Sequence, residues 1–107
     1  MKLIFAIVSR QDTNAVCDAL IEAKYYVTKL ATTGGFLRVG NTTLLIGVDE
    51  KDVDPVLAII EKHSKSRKEI IPLISPSEIG IYSSQTMEVT VGGATIFVVD
   101  AEAIKKI

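Results

Sequence analysis

The chain has 107 residues, 48% of them apolar, which is the size of one domain with material for a real core. Twelve basic residues against thirteen acidic ones leave a formal charge of -1, so no general basic field draws the protein to nucleic acid or anionic lipid. A single cysteine, Cys17, excludes an internal disulfide, and with no second Cys or His cluster beside it a metal site too, so a reducing, cytoplasmic setting is expected.

Met1-Lys2 leads into the apolar run Leu3-Ile4-Phe5-Ala6-Ile7-Val8, which is too short for a secretory core or a bilayer span. The run is rich in β-branched residues and breaks at Ser9-Arg10-Gln11-Asp12, which predicts a buried central strand. From 13 to 24, Val16, Ala19, Leu20 and Ala23 recur at helical spacing, with Asp12 available as N-cap. Residues 25–31 mix aromatic and β-branched types and suit a strand, after which Thr32-Thr33-Gly34-Gly35 opens a loop. Residues 42–48 return to a strand pattern. A second helix follows, with Val53, Val56, Leu57 and Ile60 on one stripe and Pro55 in its first turn.

Beyond the polar run 62–68, residues 70–74 make a short strand candidate, and 75–85 read as a second long loop. Residues 87–91 and 94–99 flank Gly92-Gly93, a pair free to take positive φ, and so read as two strands of a tight hairpin. A terminal helical turn is expected over 101–107. No internal repeat or linker interrupts the chain, so 1–107 is read as a single domain.

The order β-α-β-β-α-β, with an additional short strand or hairpin and two long loops, implies an α+β, ferredoxin-like antiparallel sheet with both helices on one face. Strands one, three and last carry apolar residues at consecutive positions, so the second face is apolar as well. Two short helices cannot cover it, and a second copy of the chain is the expected cover.

The segment 32–43 holds three glycines, several hydroxyl or amide side chains, Arg38 and Phe36. Backbone amides beside glycine can line an anion, Phe36 offers a stacking face, and Asn41 can both donate to and accept from a purine edge. A nucleotide-like ligand would use all three. Gly35 and Gly40 mimic the spacing of a P-loop, but Asn41-Thr42 stands where Lys-Ser or Lys-Thr is needed, and a strand follows where a helix is required. His63 stands alone among Lys62, Lys65 and Arg67 and reads as a surface residue, and Cys17 reads as a small buried thiol. No acid-base or nucleophile-base constellation emerges, so a non-enzymatic role without a cofactor is expected.

Thr28-Lys29-Leu30-Ala31-Thr32-Thr33-Gly34-Gly35-Phe36-Leu37-Arg38, then Gly40-Asn41-Thr42-Thr43, Lys65-Ser66-Arg67, Ser75-Pro76 and the run from Val89 to Val98 closely resemble the PII-like cyclic-di-AMP receptors of Gram-positive bacteria, the PstA family. The resemblance spans almost the whole chain. It implies a PII-like homotrimer that binds a small-molecule ligand, cyclic-di-AMP, in clefts between subunits, signals through its loops to an unidentified protein target, and needs neither nucleic acid nor membrane insertion. The ligand-contacting positions that match are Thr28, Phe36, Leu37, Asn41, Gly47 and Gly92. Tyr26 stands where the receptors carry Arg, and Lys24 where Asn is usual; the 75–86 segment lacks the Met-Gly-Gly start and Tyr-Pro pair. Tyr26 offers stacking in place of charge. Two alternatives stay open: a PII-like sensor of another ligand, such as an adenine nucleotide, and a structural trimer acting only through protein partners.

Overall fold

The computed structural model of the protein describes residues 1–30, 40–72 and 86–107. Both long loops, the end of the expected second strand at Ala31 and the last two residues of the 70–74 strand lie outside these. The element order is β1 (Lys2–Ser9), α1 (Arg10–Glu22), β2 (Thr28–Leu30), β3 (Asn41–Val48), a short 3-10 turn (Glu50–Asp52), α2 (Val53–Ser64), β4 (Arg67–Pro72), β5 (Thr86–Val91) and β6 (Ala94–Asp100).

Four strands form an antiparallel sheet in the order β2-β3-β1-β6, which is compatible with a ferredoxin-like fold. In β1 the even-numbered Ile4, Ala6 and Val8 are fully buried against α1 and α2 together with Leu44, Ile46 and Val48 of β3. Period-two alternation puts Leu3, Phe5 and Ile7 on the opposite face. Each large apolar side chain taken from water contributes about 1.5–3 kcal/mol before the entropy of ordering is subtracted.

The helices fit that core with one change of phase. In α2, Val56 and Ile60 are fully buried while Val53 and Leu57 are half-buried, as the expected stripe requires. In α1 the buried stripe is Thr13, Val16, Cys17 and Leu20, whereas Ala23 is exposed. Burial pushes the Cys17 thiol up from its ordinary range, which disfavours the thiolate.

Asp12 is not the N-cap. That position belongs to Ser9, whose carbonyl accepts from the Thr13 hydroxyl at 3.1 Å. Asp12 lies in the first turn of α1, 5% exposed, and receives two bonds from Arg67, Nη2 to Oδ1 at 2.8 Å and Nη1 to Oδ2 at 3.2 Å. A carboxylate removed from water needs such a forked, permanently charged partner.

The second correction concerns Gly92-Gly93. Both have positive φ, +80 and +85, but they do not close a hairpin. β5 pairs with β4, from Arg67 opposite Val91 to Pro72 opposite Thr86, while β6 pairs with β1 from Lys2 opposite Asp100 to Val8 opposite Ala94. The glycine pair passes the chain from one sheet to the other, because β6 fills the open edge of β1 with apolar partners that β5 does not offer. β4 also begins earlier than its apolar residues suggest, inside the polar run. The third correction is at the C-terminus, where 101–107 form no helical turn; the segment leaves β6 with the Ala101 N–H donating to the Met1 carbonyl at 3.1 Å.

The β4–β5 ribbon is exposed along most of its length, and such a two-stranded unit is marginal alone. The Asp12–Arg67 pair joins its first residue to α1. Arg67→Lys should keep the charge, lose the fork and destabilise the protein by about 1.5–3 kcal/mol in denaturant titration. A change within about 0.5 kcal/mol would mean that the pair behaves as an exposed one.

Candidate functional site

The face of the sheet turned away from the helices carries Leu3, Phe5, Ile7, Leu45, Phe97 and Val99, as their cross-strand register requires. Phe97 is 54% exposed although it sits opposite Phe5 in the middle of this face. Asn41, Thr43, Leu45 and Gly47 project from β3 to the same side, opposite Ser9, Ile7, Phe5 and Leu3. Thr28, opposite Leu45, joins them from β2. Thr43 Oγ1 is buried there without a hydrogen-bond partner among the described residues, an exception that a folded protein rarely tolerates.

The candidate residues fall into two groups. At one end of β3, Asn41 and Gly92 line a cleft of about 320 Å³ with Ile7, Gly93, Ala94 and Thr95. The Gly40 carbonyl accepts from the Arg10 N–H at 2.6 Å, which fixes the start of β3, and hence Asn41, beside the start of α1. Gly92 is glycine for two reasons: its φ, and its surroundings. A Cβ there would lie 2.6 Å from Arg67 Nη1, 2.9 Å from the Lys65 carbonyl oxygen and 3.2 Å from Asp12 Oδ2.

At the other end stand Tyr26 and Gly47, with Thr28 nearer the middle, opposite Leu45. Tyr26 reaches this place through the end of α1, where Lys24 takes a φ of +72 and the N–H groups of Lys24 and Tyr25 donate to the carbonyls of Ile21 and Leu20. This is a Schellman closure, here with lysine in the left-handed position. Gly47 is exposed, with no unusual φ; what its missing side chain permits is close approach. Ile104 from the C-terminal segment fills that space, its Cδ1 2.7 Å from where a Cβ would stand. Two residues on, Lys106 Nζ lies 4.4 Å from the centroid of the Tyr26 ring. An exposed cation–π contact of this kind contributes about 0.5–1 kcal/mol, so the segment is lightly held.

Six residues of extended strand separate Asn41 from Gly47, about 20 Å. Among the described residues the chain therefore carries two separated groups of candidates on one face, not one closed pocket. Phe36 and Leu37 lie outside the described residues. The seats of Ile104 and Lys106 were not legible in the sequence, because a segment without period gives no sign of what it crosses. The Asp12–Arg67 pair escaped for a related reason: its partners stand 55 positions apart. His63 is half-buried and lines a shallow cleft with Lys62, Lys65 and Arg67, where the nearby Asp12 carboxylate is already engaged by Arg67. No group of three or more metal-ligating side chains occurs among the described residues, and none of their helices is long and apolar enough to cross a membrane.

A solved structure described as that of a functionally unknown protein from Pediococcus pentosaceus ATCC 25745 is similar to this one, with 40% sequence identity over 99% of this chain and 96% of that one and a TM-score of 0.76. The family profile described as cyclic-di-AMP receptor matches residues 1–107, the whole chain, and the chain is a member of the cyclic-di-AMP receptor family.

Proposed function

We propose that this protein is a PII-like signalling protein that binds cyclic-di-AMP in clefts between the subunits of a homotrimer and acts by binding rather than by catalysis. The observation that carries this reading is the separation of Gly47, with Tyr26 on its side, from Asn41, with Gly92 beside it, at opposite ends of β3 and about 20 Å apart. A compact dinucleotide seated at one end of β3 does not reach the other end of the same strand. A neighbour packed over the apolar face brings its Asn41 end beside the Tyr26 end. Covering Phe5, Leu45 and Phe97 supplies the drive for that packing, because an apolar face of this extent is unfavourable in water. The buried Thr43 hydroxyl on the same face supports a polar occupant close by.

Phe36 and Leu37 lie in sequence between β2 and β3, and contact of a ligand with that segment would be the signal passed to a protein target. Titration calorimetry with cyclic-di-AMP, cyclic-di-GMP, ATP and AMP tests the reading. Cyclic-di-AMP should bind tightest, Asn41→Ala should weaken it by about 1–3 kcal/mol through an unpaired adenine edge, and His63→Ala should stay within about 0.5 kcal/mol. Tighter binding of ATP or AMP than of cyclic-di-AMP would reassign the ligand, and no binding of any of the four would leave a trimer that works through protein partners.

A further inference from the structure

The C-terminal segment 101–107 is the part of the chain that the proposed receptor role has not absorbed. It starts from a backbone bond to Met1, seats Ile104 on Gly47 and sets the Lys106 ammonium over the ring of Tyr26. All three anchors place it over the Tyr26–Gly47 end of the uncovered face. The candidate residues Tyr26, Thr28, Asn41, Gly47 and Gly92 are uncharged, yet a cyclic dinucleotide carries two phosphodiester anions. Lys29, next to Thr28, is directed elsewhere: its Nζ donates to Asn14 Oδ1 of α1 at 3.4 Å, on the helical side of the sheet. Lys2 is engaged by Asp100.

We propose that Lys106 is a ligand-binding residue, a cation that meets a phosphodiester of the bound nucleotide at the Gly47 end, and that Tyr26 is its positioning residue. An ammonium has three donors, and one resting on a ring face leaves the others directed away from it, toward an incoming anion. The ring holds the charge without neutralising it, as a carboxylate would. Ile104 sets the reach: with its side chain lodged where Gly47 has none, the segment crosses the sheet at the height that brings residue 106 to Tyr26. This assignment rests on the proposal that the face binds a phosphate-bearing ligand, and it adds a residue that would supply charge at the Tyr26–Gly47 end.

The test uses the full chain and two readouts. In calorimetry with cyclic-di-AMP, Lys106→Gln should weaken binding about tenfold and flatten the dependence of affinity on salt, whereas Lys106→Arg should retain most of both. Tyr26→Leu should weaken binding to a similar degree, and Tyr26→Phe, which keeps the ring, should not. In parallel, the side-chain NMR signals of Lys106 are followed during titration with cyclic-di-AMP, ATP and adenosine. They should move with the phosphate-bearing ligands and stay in place with adenosine. If the parent binds cyclic-di-AMP and Lys106→Gln binds it equally well with the same salt slope, the Lys106 assignment is wrong and the receptor reading stands. If cyclic-di-AMP fails to bind but ATP moves the Lys106 signals, the choice of second messenger is wrong and the assignment stands. Signals unmoved by either nucleotide overturn the assignment outright.

Discussion

Gly92→Ala is expected to destabilise the protein by about 3 kcal/mol, roughly twice the effect of Gly93→Ala. The two glycines are adjacent and share a positive φ, +80 and +85, so the penalty for placing an L side chain in that region, about 1–2 kcal/mol, is common to both. Their surroundings differ. A Cβ at 93 would meet only Ser66 Cβ at an ordinary 3.8 Å, whereas one at 92 would press on the Lys65 carbonyl and the fork of Arg67. The Arg67 head can swing aside, but it then leaves the Asp12 carboxylate buried without its partner. Chemical denaturation of both variants, with hydrogen exchange of β4 and β5, checks this. Equal losses at the two positions would show that conformation alone selects glycine at 92.

Phe97→Glu is expected to convert the proposed trimer into monomers and, under the proposed receptor role, to lower cyclic-di-AMP affinity at least about a hundredfold, or about 2.7 kcal/mol. The parent should scatter light as about three times the 11.6 kDa chain. Phe97 lies opposite Phe5 on the uncovered face, away from the core formed by Ile4, Leu44 and Ile46, so a carboxylate there should leave the protomer folded with an unchanged circular dichroism spectrum. Packed against another subunit, the same carboxylate would be buried without a counter-ion. A monomeric Phe97→Glu that binds as tightly as the parent would place the whole ligand site within one protomer. A monomeric parent would remove the intersubunit cleft altogether.

Sequence reading succeeded where the signal is local and repeated. The run from Leu3 to Val8 identified the central strand, the Val56–Ile60 spacing identified α2, and apolar residues at consecutive strand positions pointed to a second apolar face. It failed where a residue answers to something distant. Gly92-Gly93 has the backbone freedom of a hairpin turn, but strand pairing is decided by the partner edges, and β1 offers β6 seven residues of register. Asp12 has the chemistry of an N-cap, yet a buried carboxylate is drawn to an arginine on another sheet. β2 starts at Thr28 and not at Tyr25 because α1 ends in a left-handed turn that uses up the residues before it. At the candidate site, the resemblance named Tyr26, Thr28, Asn41, Gly47 and Gly92 one by one, but not their division into two clusters. That division follows from strand register, which a list of positions does not contain.

The alternation along β3 separates two kinds of selection. Thr42, Leu44, Ile46 and Val48 face the helices, and a poor choice at those positions threatens the fold. Asn41, Gly47 and, on the neighbouring strand, Thr28 hang from the other side, which the core never touches. Substitutions there change what can pack against that face, as Ile104 does at Gly47, and leave the core beneath α1 and α2 in place. Under the proposed receptor role, a change of ligand would therefore ask for no repacking of the core between the sheet and the helices.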